Sequence, residues 1–123
     1  MIGSFVNLTV LCEWLTHQHK NIILLCAGWK DFFNLEDTLC AGAIAHKLDQ
    51  TNLFETNYDS TLASKALYEL AHKDILGFME NSSHFKRLEK LNLADDVKYC
   101  LTPDLAPVIP ILEGNYLVPF KNK

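Results

Sequence analysis

The segment NIILLCAG, residues 21–28, constrains the fold of this chain more than any other. An uninterrupted apolar run over residues 22–27 is typical of a strand covered on both faces, as in a parallel sheet between layers of helices. Apolar residues spaced three or four apart predict helices before it, over 5–19, and after it, over 35–48. This order predicts an α/β fold, a layered helix–sheet–helix domain with a partly parallel, mixed sheet.

The remaining sequence predicts more helices and one hairpin. The periodicity and capping residues indicate three further helices, over 61–80, 84–92 and 93–100. A closing pair of strands is predicted around Gly114-Asn115, with prolines that favour the edge of a sheet. With 123 residues, the chain fits a single domain over residues 1–123 that can bury a hydrophobic core.

Composition excludes several classes of function. The net charge of −4 and the lack of a basic cluster argue against a nucleic-acid surface. No apolar run approaches the roughly 20 residues of a membrane span, and the first residues do not resemble a signal peptide. The four cysteines form no C-x-x-C pair and lie in apolar stretches, so we expect buried free thiols and a cytoplasmic location.

Two adjacent acids, Glu36 and Asp37, open the helix that follows the apolar run. Their position has a structural explanation, because acids stabilise a helix N-terminus and Asp37 could complete a capping box with Asn34. It also has a functional one. Magnesium uses one or two carboxylates in proteins, and α/β sheets bind ligands where a strand leads into a helix.

A second candidate is the segment NSSHFKRL, residues 81–88. Serines before a helix, followed by His84, Lys86 and Arg87, could hold a phosphate or a sulfonate through amides, hydroxyls and cations. The alternative is an ordinary helix cap followed by a solvated basic face. Spacing alone does not separate these two interpretations.

The order of these motifs resembles the C-terminal half of the 2-phosphosulfolactate phosphatase family. Four segments carry the resemblance, and together they cover nearly the whole chain: IGSFVNLTVLCEWL, LLCAGWKDFFNLEDTLCAGAIAHKL, SSHFKRLEKLNLADDVKYC and APVIPILEGNYL. The second is the most specific, through its Cys-Ala-Gly end and its Leu-Glu-Asp-Thr-Leu-Cys-Ala-Gly-Ala helix.

The resemblance implies a magnesium-dependent phosphatase that acts on 2-phosphosulfolactate or a related small phosphoester, in a sulfonate pathway of the coenzyme M type. It implies that Glu36 and Asp37 are catalytic residues and Mg²⁺ ligands. The residues implied to contact the phosphate or sulfonate are Gly28, Ser83, His84 and Arg87.

Two departures from the family pattern change the expectation. Phe85-Lys86 stands where the family usually has Gly-Arg, and the motifs of the family's N-terminal half are absent. We therefore expect a fragment of a larger α/β fold that has little activity alone and that self-associates or pairs with the missing N-terminal half. The alternative is a non-catalytic binding or assembly module, a truncated or repurposed relative.

Overall fold

The computed structural model describes residues 1–120, and over these residues the protein is helix-rich with one small antiparallel sheet. After a turn of 3-10 helix at Phe5–Asn7, the helices are α1 (Leu8–Thr16), α2 (Leu35–Asp49), α3 (Asp59–Ala71), α4 (Ile75–Met79), α5 (Ser83–Lys90) and α6 (Ala94–Leu101). The strands are β1 (Pro110–Glu113) and β2 (Tyr116–Pro119). This mixed composition is consistent with the predicted α/β class, whereas the partly parallel sheet and the layering are not confirmed.

Helix α2 lies at the centre of the hydrophobic core. Leu39 is fully buried, and Ala43 and Ile44 are nearly so. Helices α1 and α3 pack against α2, and Phe5 from the 3-10 turn joins the same cluster. This packing fixes the first turn of α2, where Glu36 and Asp37 lie, against the rest of the molecule.

A glycine in the middle of α2 allows the close approach of α3. A Cβ atom on Gly42 would lie 2.7 Å from the Ser64 carbonyl carbon and 2.9 Å from the Tyr68 Cβ, both far inside ordinary contact. The position therefore excludes a side chain. Glycine is unfavourable inside a helix, and the helix–helix contact explains why it stands here.

Most of the predicted helices are confirmed, but one predicted helix is divided into two. Helices α2, α5 and α6 occupy the predicted segments, and the Ser82 Oγ caps α5 by accepting the Phe85 N–H at 3.1 Å. The single helix predicted over 61–80 is wrong, because the chain breaks between α3 and α4. There the Asp74 carboxylate accepts the Gly77 N–H at 2.9 Å, so the acid begins a new helix instead of continuing the old one.

The segment predicted as an interior strand is not paired with another strand. Among the described residues, no backbone group of 22–27 forms a hydrogen bond with another backbone group. Its side chains nevertheless alternate as in an extended chain. Ile22 and Leu24 pack on the core, whereas Ile23 and Leu25 are 91% and 92% exposed. The predicted strand is therefore not confirmed, because a strand needs a neighbour and residues 1–120 place none beside it.

The predicted closing hairpin is confirmed, with the two prolines opposite each other at its open end. It is tied to the first residues of the chain. The Ile2 N–H donates to the Pro110 carbonyl at 2.9 Å. The buried Asn7 amide donates to the carbonyls of Val108, at 2.9 Å, and Ile2, at 3.1 Å. These bonds hold residues 1–4 beside the hairpin.

All four cysteines are free thiols, as predicted, but only some are buried. Cys12 is buried and Cys40 half-buried, whereas Cys26 and Cys100 are exposed. The expectation of buried thiols is therefore wrong for the latter two. Cys26 lies in the unpaired segment 22–27, which the core covers on one face only.

No helix of the described residues is long and apolar enough to cross a membrane.

Candidate functional site

The first turns of α2 and α5 bring two of the predicted site residues into direct contact. The His84 Nε2 lies 2.8 Å from the Glu36 Oε1, and the two side chains are only 22% and 23% exposed. The residues are 48 positions apart in the chain, so this contact joins the two motifs that the sequence presented separately. It lies beside the end of the unpaired segment, where Gly28 leads toward α2.

The second carboxylate oxygen of Glu36 is buried without a partner. Among the described residues, no hydrogen-bond donor reaches the Glu36 Oε2. Buried polar atoms are nearly always satisfied, and an orphaned carboxylate oxygen is costly to keep in a folded protein. The atom is therefore suited to a ligand that brings a positive charge or a proton to this position.

Arg87 completes a chain of contacts through His84. Its guanidinium contacts the His84 Nδ1, and because arginine can only donate, Nδ1 accepts. The ring then carries its proton on Nε2, the nitrogen that lies 2.8 Å from the Glu36 Oε1. The guanidinium also lies 4.1 Å from the centre of the Trp29 ring, a cation–π contact that holds its plane in place.

A tight turn presents Trp29 to this cluster. Two backbone hydrogen bonds join Trp29 and Phe32, at 3.0 and 3.1 Å, and the residues between them, Lys30 and Asp31, have φ angles of 51° and 63°. Non-glycine residues are uncommon there, and such strain often occurs at functional sites. The Lys30 Nζ lies 5.8 Å from the Trp29 ring, so a second cation stands on this aromatic surface.

Asp37 holds the unpaired segment to α2. Its Oδ2 accepts the Gly28 N–H at 2.7 Å, and no side-chain cap bond forms at Asn34. The capping-box interpretation of Asp37 is therefore wrong, because the carboxylate turns to an amide nine residues upstream. Gly28 itself has a φ of +71°, and a Cβ there would lie 2.9 Å from the Phe32 carbonyl oxygen. The glycine thus allows the backbone of the turn to approach closely.

The structure brings most of the predicted site residues into contact with one another and leaves one apart. Glu36, His84 and Arg87 form one connected cluster, and Asp37 with Gly28 forms a second contact at the same end of α2. Ser83 is exposed at the start of α5, and among the described residues its hydroxyl forms no hydrogen bond with either group.

Sequence reasoning missed Trp29 and Lys30. The sequence signal that could have indicated them is an aromatic residue and a cationic residue directly after Gly28, which ends the apolar run.

The nearby thiols are poorly suited to act as nucleophiles. Burial, with the Asp37 charge as a smaller cause, raises the pKa of Cys40 to about 12. The same two causes raise the pKa of Cys26. A thiol reacts as its thiolate, so these shifts keep both side chains in the unreactive form at neutral pH. The site is better described as a carboxylate, an imidazole and a guanidinium beside an aromatic ring.

Comparison with known proteins agrees with this arrangement of motifs. The family model described as 2-phosphosulpholactate phosphatase matches residues 1–115, which include both motifs and the first strand of the hairpin. The chain belongs to the 2-phosphosulfolactate phosphatase family. The resemblance seen in the sequence is thereby confirmed, and membership in this family favours the phosphatase interpretation over that of a repurposed binding module.

Several relatives share the match, each named a probable 2-phosphosulfolactate phosphatase. The protein of Synechocystis sp. is 38% identical over 110 residues, which cover 88% of this chain and 46% of that relative. The protein of Cyanothece sp. is 36% identical, covering 89% and 47%, and that of Nostoc sp. is 31% identical, covering 99% and 52%. The chain therefore spans about half the length of the curated relatives it matches.

Proposed function

We propose that this chain is the C-terminal portion of a magnesium-dependent phosphatase and supplies one side of its active site. The substrate would be 2-phosphosulfolactate or a related small phosphoester, and the reaction phosphoryl transfer to water. The buried Oε2 of Glu36, which has no partner among the described residues, carries this proposal, because the same carboxylate contacts an imidazole that in turn contacts a guanidinium suited to an anion. The names of the relatives supply the substrate class.

The donor chemistry fits magnesium in part. Glu36 would hold the ion through Oε2, since carboxylate oxygen is the ligand that Mg²⁺ prefers and this oxygen has no other partner among the described residues. Asp37 would contribute its free oxygen, while Oδ2 remains bonded to Gly28. No group of three acidic, histidine or cysteine side chains gathers within residues 1–120, so the remaining ligands would come from water, substrate or the rest of the protein. When bound, Mg²⁺ would supply charge neutralisation at the phosphoryl group.

The other residues would position and neutralise the substrate. Arg87 is held by Trp29 and His84, so its remaining N–H groups are oriented before an anion arrives, which favours phosphate or sulfonate. Lys30 would add a second cation on the same surface. His84 would orient the Glu36 carboxylate through the 2.8 Å contact between its Nε2 and the Glu36 Oε1. Gly28 and Ser83 would offer backbone and hydroxyl donors at the rim, and a cytoplasmic location would keep the four cysteines as thiols.

Magnesium binding tests the role of the acids. Calorimetric titration of the chain with MgCl₂ is expected to show binding that Glu36→Gln weakens strongly and Asp37→Asn weakens less, because the Asp37 carboxylate is already engaged. Asp95→Asn is the matched control, since Asp95 occupies the first turn of α6 and contacts no histidine among the described residues. Equal affinity in the parent chain and Glu36→Gln would refute the proposed ligand.

Phosphate release tests the activity. The 123-residue chain alone is expected to release negligible phosphate from phosphosulfolactate. Activity is expected when it is combined with the part of the Synechocystis relative that it does not match, and it should fall sharply in Glu36→Gln and Arg87→Ala. Turnover of about 1 s⁻¹ or more by the chain alone would contradict the proposal that it supplies only one side of the site.

A further inference from the structure

A large apolar groove runs between the first residues of the chain and the unpaired segment. One rim is residues 1–5, the other is residues 22–27, and the floor is formed by α1 and α2 through Leu11, Cys40 and Ile44. The groove has a volume of about 600 Å³. Glu36 and Asp37 line the same groove, which therefore adjoins the candidate site.

Segment 22–27 offers a continuous run of backbone groups with no partner among the described residues, and the opposite rim offers such groups at Gly3. Among the described residues, the backbone of 22–27 forms no hydrogen bonds, and neither does that of Gly3 on the opposite rim. The neighbours of Gly3 are already bonded: the Ile2 N–H donates to the Pro110 carbonyl, and the Ser4 N–H donates to the Asn7 side chain. A helix in the groove would satisfy its own backbone and leave these groups unpaired. An extended strand would pair with the free groups of 22–27, so this rim favours a strand.

The outer face of segment 22–27 also lacks a cover. Ile23 and Leu25 are 91% and 92% exposed, while their neighbours Ile22 and Leu24 already pack on the core. An extended segment that is apolar on both faces and has no strand partner is a template for strand addition. The occupant must therefore supply an apolar strand in the groove and apolar side chains over Ile23 and Leu25.

The length of the relatives identifies the source of that strand. This chain spans 46% to 52% of the three relatives described above, so about half of the length of each lies outside it. We propose that the groove between residues 1–5 and 22–27 receives an apolar strand from that remaining half, which completes a sheet with 22–27 as an interior strand. This proposal names the docking surface and does not depend on which substrate the family site binds.

The surface also places the partner next to the proposed active site. Segment 22–27 continues through Gly28 into the turn that carries Trp29, and Asp37 ties Gly28 to α2. A strand docked in the groove would end close to Glu36, which lines the same groove. The ligands and phosphate contacts that residues 1–120 lack would thus enter with the docked half.

Hydrogen–deuterium exchange on the 123-residue chain tests the surface directly. The probe is the half of the Synechocystis relative that this chain does not match, co-expressed and purified with it. Residues 22–27 are expected to exchange at nearly unprotected rates in the chain alone and at least about tenfold more slowly in a 1:1 complex. Exchange in α3, which lies away from the groove, is expected to be unchanged.

Two substitutions distinguish binding at the groove from non-specific binding to exposed apolar residues. Leu25→Lys is expected to weaken the complex by at least about tenfold, since it buries a charge against the docked half. The matched control is Leu70→Lys, because Leu70 is a leucine that is 72% exposed on α3. It is expected to change affinity less than about twofold. Both positions are exposed in the chain alone, so circular dichroism should show unchanged folding.

Three outcomes would overturn the proposal. They are the failure of a complex to form on co-expression, a complex in which 22–27 stays unprotected, and equal effects of the two lysine substitutions. A homodimer of the chain with protected 22–27 and no 1:1 complex would assign the groove to a second copy instead. None of these measurements uses phosphatase activity, so a failure here is distinct from a failure of the proposed function.

Discussion

Replacing Gly42 by alanine separates the effect of helix propensity from that of tertiary packing. In an exposed helix, the change would stabilise the protein by about 1 kcal/mol, because glycine is the less favourable helix former. In this protein the new Cβ would lie 2.7 Å from the Ser64 carbonyl carbon, whereas ordinary contact begins at 3.4 Å. The atoms that it meets are the Ser64 carbonyl and the Tyr68 Cβ, which are fixed by the backbone of α3 and cannot rotate away.

The steric cost should therefore exceed the gain in propensity. Overpacking costs typically about 1–3 kcal/mol, and a contact with rigid helix backbone belongs at the upper end. After the gain of about 1 kcal/mol is subtracted, we expect Gly42→Ala to lower the free energy of unfolding by about 2 kcal/mol. Since α2 carries Glu36 and Asp37, the same displacement would also disturb the candidate site.

Urea unfolding followed by circular dichroism measures this change. Ala66→Gly, on the exposed face of α3, is the control that reports the glycine–alanine difference without a tertiary contact, and it should destabilise by about 1 kcal/mol. If Gly42→Ala leaves stability unchanged or raises it, the close packing of α2 and α3 is not as the structure has it, and the reasoning fails.

Three further predictions concern local interactions. Ser82→Ala should lower the free energy of unfolding by about 1 kcal/mol in urea titrations, because α5 loses its side-chain cap. Arg87→Lys should lower it by about 0.5–1 kcal/mol, because lysine keeps the charge but loses the planar stack on Trp29, and an unchanged urea midpoint would contradict that contact. Hydrogen bonds from Thr9 lower the pKa of Asp104, so its contribution to stability is present above about pH 4 and lost as the pH falls through the lowered value. Acid unfolding of Asp104→Asn should accordingly depend less on pH in that range.

The helices and the hairpin could be predicted because their signals are local. Asn34 precedes an apolar-periodic segment, Ser82 caps the helix that follows it, and Gly114-Asn115 separates two short apolar runs. Hydrogen bonds within a helix or across a tight turn join residues that are close in sequence. The residues of each segment therefore contain most of the information that determines its structure.

The arrangement of the candidate site needed the tertiary structure. The sequence marked Glu36 and His84 as separate candidates, but only the packing of the chain brings their side chains to 2.8 Å. The packing also lets the Asp37 carboxylate accept a hydrogen bond from the Gly28 N–H instead of forming a capping box. It places Trp29 under the Arg87 guanidinium. These contacts depend on how α2, α5 and the 29–32 turn pack together, which no local pattern encodes.

The apolar run at 22–27 shows most clearly which properties the sequence determines and which depend on the tertiary structure. Its composition determined, from sequence alone, that it suits a strand covered on both faces. Whether it becomes one depends on a neighbour, because a strand satisfies its backbone only by pairing with another segment. The core of residues 1–120 covers one face through Ile22 and Leu24 and leaves the other open. The sequence thus determined what this segment requires, and the tertiary structure decided that residues 1–120 meet only part of that requirement.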